Sequence, residues 1–208
     1  MNLQEKWKQE CISHAKERFK NFRADFRDYV DFQTLDWRHE SGRSDCHVHY
    51  IFDTKQQYMY ISGDLGSACF YLTWQPTFKN MHNKIHQIEY VMGKIECSTD
   101  EYIYPEEMVK AELHDNYDCF MPDPDDYEKT EYYEDALQEW NKALEQVIYH
   151  TGYHSGFDQD SEAIEALEKI DEEWWDRNDF GKTISQRVYL WFMGLQMAWE
   201  EVRSDNDN

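Results

Sequence analysis

The 208-residue sequence predicts an α+β fold: a long N-terminal helix, a small three-stranded antiparallel meander, then a mainly helical C-terminal half. Three observations lead there. Apolar residues recur every three or four positions over residues 3–32. Residues 47–74 alternate in period two between turn-forming clusters. A helical period returns from residue 77 onward. Strands grouped early and helices grouped late point to α+β rather than to an alternating α/β chain.

The N-terminal stripe is Leu3, Trp7, Cys11, Ala15, Phe19, Phe22, Phe26 and Val30, one face of an amphipathic helix. That segment carries seven basic residues (Lys6, Lys8, Lys16, Arg18, Lys20, Arg23 and Arg27) and six acids, a net +1. The expected role of this charge is to dock on the chain's own acidic body, the alternative being a separate contact surface. The strands follow as HVHYIF, QYMYIS and ACFYLTW, with Val48, Tyr50 and Phe52 on one face and His47 and His49 on the other. Asp53–Gln56 and Ser62–Ser67 form the two turns. Phe78, Met81, Ile85, Ile88 and Met92 then give a helix over 77–92. Further helices are expected over 105–117, 128–149, 161–177 and 182–203, with Ser161 as an N-cap. Residues 118–127 and 150–160 read as loops. The chain is expected to be one domain over 1–208, divisible into helix plus sheet (1–97) and an acidic helical part (98–208).

Charge bounds the function most sharply. The chain holds 43 Asp and Glu against 21 Lys and Arg, a formal −22. Acidic chains poor in aromatics are disordered, but 16% of these residues are Phe, Trp or Tyr, enough to build a core. Direct binding of nucleic acid is disfavoured, because Lys and Arg make the phosphate contacts. The five cysteines (Cys11, Cys46, Cys69, Cys97 and Cys119) are odd in number and contain no C-x-x-C pair. They point to free thiols in a reducing compartment. The N-terminus has no apolar signal region and no run is long enough to span a bilayer, so the cytoplasm of a bacterial host is expected and a membrane partner is not.

The stretch ISGDLGSACFYLTW, residues 61–74, sets Asp64 between Gly63 and Gly66. It lacks the G-K-[ST] of a P-loop, and a strand rather than a helix follows. Asp64 is therefore expected to accept backbone N–H groups within a tight turn. The motif SGDLGSACFYLTW resembles a hairpin in small proteins of phages and mobile elements of Gram-positive bacteria, some associated with inhibition of CRISPR immunity. The resemblance covers roughly residues 45–75. It implies an anti-defence role and transfers no functional residue.

Chemistry has few candidates. Cys46, His47 and His49 lie close together, and His82 and His86 are spaced i,i+4 on an expected helix. The four imidazoles could hold zinc only if sheet and helix meet. No H-E-x-x-H, serine elbow or cysteine–histidine signature supports an enzyme, and no catalytic residue, metal or cofactor is expected. The acidic blocks are more distinctive. Residues 96–139 hold 16 acids and two bases; residues 158–179 hold ten acids and two bases. Glu165, Glu168, Glu172, Asp176 and Asp179 step by three and four, a continuous stripe if the segment is one helix. Ten acids over the roughly 33 Å of a 22-residue helix approach the ~3.4 Å phosphate spacing of a DNA strand. The expected partner is thus a nucleic-acid-binding protein, an RNA-guided nuclease first among them, met by Glu128, Glu131, Asp135, Glu165, Glu168, Glu172, Asp176 and Asp179. Tyr127, Tyr132 and Trp175 are candidates for stacking on a partner's arginines. An acidic interaction module without mimicry, such as a phage regulatory or assembly factor, is the alternative. A metal-dependent enzyme comes third.

Overall fold

The computed structural model describes residues 2–158, 162–174 and 179–206. Along the chain the helices are α1 (Leu3–Arg18), α2 (Phe78–Met81), α3 (Ile88–Met92), α4 (Glu106–Tyr117), α5 (Thr130–Tyr149), α6 (Ala163–Glu168) and α7 (Gln186–Asn206). The principal strands are β1 (Phe22–Asp28), β2 (Phe32–His39), β3 (Val48–Asp53), β4 (Tyr58–Gly63), β5 (Ala68–Tyr71) and β6 (Ile95–Ser98). Two-residue strands β7 (Tyr102–Ile103), β8 (Thr151–Gly152), β9 (Gly156–Phe157) and β10 (Thr183–Ile184) pair as β7 with β10 and β8 with β9.

The class is α+β, but the expected three-stranded meander is a six-stranded antiparallel sheet in the order β1-β2-β3-β4-β5-β6. The error lies in residues 19–39 and 95–98. Phe22 and Phe26 are four apart, a spacing that suits both a helix face and one face of a strand. The chain resolves the ambiguity through long-range pairing, with Ala24 opposite Trp37 and Phe26 opposite Leu35. α1 accordingly stops at Arg18, where Phe19 caps it with its N–H bonded to the Ala15 carbonyl. At the other end the Asn2 side chain accepts from the Glu5 N–H at 2.8 Å. The helix expected over 77–92 is broken into α2, a 3₁₀ turn at Lys84–Gln87, and α3.

Two compact units make up the chain. The first comprises Met1–Glu101 and Ile184–Asn208; the second is Tyr102–Thr183. In the first unit α2 and α7 pack against one face of the sheet, Phe78 on Phe52 and Phe192 on Phe70, and α1 packs on α7. Tyr50, Phe52, Met59, Phe70 and Leu35 from the sheet, and Trp191, Phe192 and Phe78 from the helices, are almost fully buried. Gly194 lets α7 approach closely: a Cβ there would lie 2.7 Å from the Tyr50 hydroxyl. Within the first unit, the Ser185 N–H donates to the Glu101 carbonyl at 3.0 Å. The acidic unit is therefore an insertion between two residues that the first unit already holds together.

The second unit has its own core. Val109, Leu113 and Tyr117 of α4, Trp140, Leu144 and Val147 of α5, and Ala163 and Leu167 of α6 pack with Phe157, Trp174 and Phe180. Of the helix expected over 161–177, the described residues form α6, six residues long. Beyond its end Asp171 is buried, and its side chain accepts from the Glu173 N–H at 2.9 Å, starting a new turn. Asp favours such capping over a helix interior. Ser161 lies outside the described residues. No described helix is long and apolar enough to cross a membrane.

Candidate functional site

The second unit concentrates the charge. Its 82 residues hold 24 acidic and 6 basic side chains, net −18; the remaining 126 hold 19 and 15, net −4. Burial explains why the acids gather on its surface rather than in its core, since a carboxylate in an apolar interior costs far more than one in water. Twenty of the 24 are exposed. Of the others, Glu112 is half-buried and accepts from the Gly181 N–H at 2.7 Å, Asp171 is the buried cap, and Asp160 and Asp176 lie outside the described residues. Lys110 pairs with Glu106, and Lys182 with Asp179 at 2.8 Å, but six bases cannot neutralise this surface.

The predicted contact residues fall on two elements rather than one stripe. Glu131 and Asp135 are exposed one turn apart on α5, and Glu128 is exposed just before the helix begins. Glu165 and Glu168 are exposed on α6, and Glu172 lies beyond its end. A helix of six residues extends roughly 9 Å, so the expected 33 Å acidic helix with phosphate-like spacing is not formed. Tyr132 is exposed, with the Lys129 ammonium 5.0 Å above its ring. Tyr127 is half-buried, and Trp175 lies outside the described residues.

The four histidines do not meet. His47 Nε2 and His49 Nδ1 each lie 3.0 Å from Asp36 Oδ1, on the face of the sheet opposite Tyr50 and Phe52. His82 instead stacks on Trp199 of α7, at 4.5 Å between ring centres, on the helical side. That side is fixed by Phe78, which contacts both the inward-facing Phe52 and Trp199. His86 is exposed in the 3₁₀ turn at Lys84–Gln87. The condition for a four-imidazole zinc site is therefore not met, and among the described residues no group of three His, Cys, Asp or Glu side chains is arranged to hold a metal. Sequence spacing singled out His47 and His49 but not their partner. Asp36 is found only through register, since it stands directly opposite His49. Partial burial raises the Asp36 pKa, but hydrogen bonds from His47 and His49 and the nearby charge of Arg38 outweigh it and the net shift is downward.

The glycine loop is a turn that docks the sheet. Gly63 has φ +131°, and a Cβ there would lie 2.2 Å from the His47 carbonyl oxygen. Asp64 donates its N–H to that same oxygen at 3.0 Å, while its carboxylate makes no hydrogen bond among the described residues. Leu65 presents its carbonyl to the Trp191 indole N–H at 3.1 Å. The expectation that the Asp64 carboxylate binds backbone amides is thus corrected: the main chain holds the turn. No family model, curated protein or solved structure matches the chain.

Proposed function

We propose that the chain is a non-enzymatic inhibitor that presents its acidic unit to a basic, nucleic-acid-binding groove of a partner protein. The carrying observation is the segregation of charge: net −18 in an inserted unit, against −4 in the sheet unit that holds its ends. Such a surface repels nucleic acid and attracts the Lys- and Arg-rich channels that bind it. The first target class is an RNA-guided nuclease, whose guide–target duplex lies in a positively charged channel. The resemblance of the SGDLGSACFYLTW hairpin to phage and mobile-element proteins supports this choice, and with it an action in the cytoplasm of a bacterial host.

The shortness of α6 favours a second reading, an acidic interaction module whose carboxylates do not copy phosphate spacing. An order-of-addition cleavage assay with guide-loaded nuclease separates the two. Occlusion of the groove predicts strong inhibition when the protein precedes target DNA and little when it follows. Inhibition independent of order favours the second reading, and no binding to the nuclease in either order removes this target class.

A further inference from the structure

On the face of the sheet opposite Tyr50 and Phe52, Cys69 of β5 and Cys97 of β6 are direct register partners. Opposite residues of an antiparallel pair have Cα atoms about 4.5–5.5 Å apart, inside the roughly 4.4–6.8 Å range that a disulfide spans. Both thiols are free, Cys69 half-buried and Cys97 exposed. The two are close enough to interact directly, and burial, the Cys97 sulfur and the Glu96 charge together hold the Cys69 pKa above its ordinary value. A register shift between Cys69 and Phe70 gives the pair local freedom of twist. We propose that Cys69 and Cys97 form a reversible cross-strand disulfide that fastens β6 to the sheet.

The oxidant is a small-molecule disulfide, RSSR. The Cys97 thiolate attacks one sulfur of RSSR, forming the mixed disulfide Cys97–S–SR and expelling RS⁻. Cys69 then loses its proton, and its thiolate attacks the Cys97 sulfur, closing the protein disulfide and expelling the second RS⁻. Two protein thiols are oxidised and RSSR is reduced to two RSH, which take up the two protons released. Access orders the steps: Cys97 is the sulfur that solvent reaches, and Cys69 is the resolving thiol. Because Cys69 is held protonated, closure quickens as pH rises. The consequence lies in β6, a four-residue outer strand and the last large element before the chain enters the acidic unit. A covalent tie to β5 removes its freedom to detach.

The test incubates the full chain with oxidised glutathione, then counts free thiols and maps cross-links by mass spectrometry. Free thiols are expected to fall from five to three, with a Cys69–Cys97 peptide that a dithiol reductant reverses. Amide exchange in β6 is expected to slow in the oxidised form. Cys69→Ser should stop the reaction at a glutathione adduct on Cys97, and Cys119→Ser should leave the cross-link intact. A persistent Cys97 adduct in the wild-type chain, or a cross-link through Cys119 instead, would overturn the proposal.

Discussion

Tyr50, in the middle of the sheet, donates its buried hydroxyl to the main-chain carbonyl of Trp191 at 2.7 Å, across 141 residues of sequence. The bond ties β3 to the final helix, and the whole acidic unit is threaded between the two in the chain. Gly194 lies one turn along α7 against the same hydroxyl. Gly→Ala inside a helix is ordinarily worth about 1 kcal/mol, but overpacking a core costs about 1–3 kcal/mol. Gly194→Ala is therefore expected to destabilise the wild-type chain. In a Tyr50→Phe background the obstructing oxygen is gone, and the same substitution should cost less. Denaturant unfolding of the double-mutant cycle checks this; additive penalties would contradict the packing described.

Excision of residues 102–183, with a short Gly/Ser link from Glu101 to Ile184, is expected to leave the first unit folded. Its core is its own, and the hydrogen bond from Ser185 to Glu101 already holds the junction closed. Circular dichroism should show a mixed α and β protein with a cooperative thermal transition. Loss of that transition would mean that the acidic unit is needed for the first to fold.

The glycine turn yields a contrast between neighbours. Asp64→Ala removes a carboxylate without a hydrogen bond and should change stability by no more than about 0.5 kcal/mol. Gly63→Ala must fit a Cβ against the His47 carbonyl at positive φ, and should cost about 2 kcal/mol or more. Equal effects at the two positions, read by chemical denaturation, would overturn the main-chain account of this turn.

Asp36 gives the pH dependence. Its folded-state pKa lies below the ordinary aspartate value. The carboxylate's contribution is therefore present above that ordinary value and is lost as pH falls through the folded-state value. Asp36→Asn is expected to cost about 1 kcal/mol at neutral pH, after allowance for partial exposure. The difference from wild type should shrink through the acid range below the ordinary aspartate pKa. A penalty that stays constant from neutral pH to strongly acid conditions would exclude the proposed hydrogen-bond origin.

Local pattern carried some of this into view. Val48, Tyr50 and Phe52 alternate cleanly, and β3 to β5 lie where period two places them. α4, α5 and α7 overlap the ranges 105–117, 128–149 and 182–203 expected for them. Phe22 and Phe26 misled because a four-residue spacing satisfies two periodicities, and only pairing with β2 decides between them. β2 itself was legible in the alternation of Leu35 and Trp37, both buried, but the helix assigned across residue 22 absorbed its surroundings. The acidic stripe failed at Asp171, whose side chain chose a cap over a helix interior. The Asp36 cluster and the Cys69–Cys97 pair depend on strand register, which no short window of sequence contains.

The acidic unit is the centre of the functional account, and charge reversal on α5 addresses it most directly. Glu128, Glu131 and Asp135 are exposed and bonded to none of the core, so Glu128→Lys, Glu131→Lys and Asp135→Lys together should leave the fold intact. Affinity for a guide-loaded RNA-guided nuclease, titrated without target DNA at low and physiological salt, is the measurement. The account predicts that wild-type binding weakens with salt, as exposed charges are screened over roughly 8–10 Å. It also predicts that the folded triple variant binds roughly a hundredfold more weakly, about 2.7 kcal/mol. A folded variant that binds as tightly as wild type, with neither protein sensitive to salt, would contradict occlusion of a basic groove.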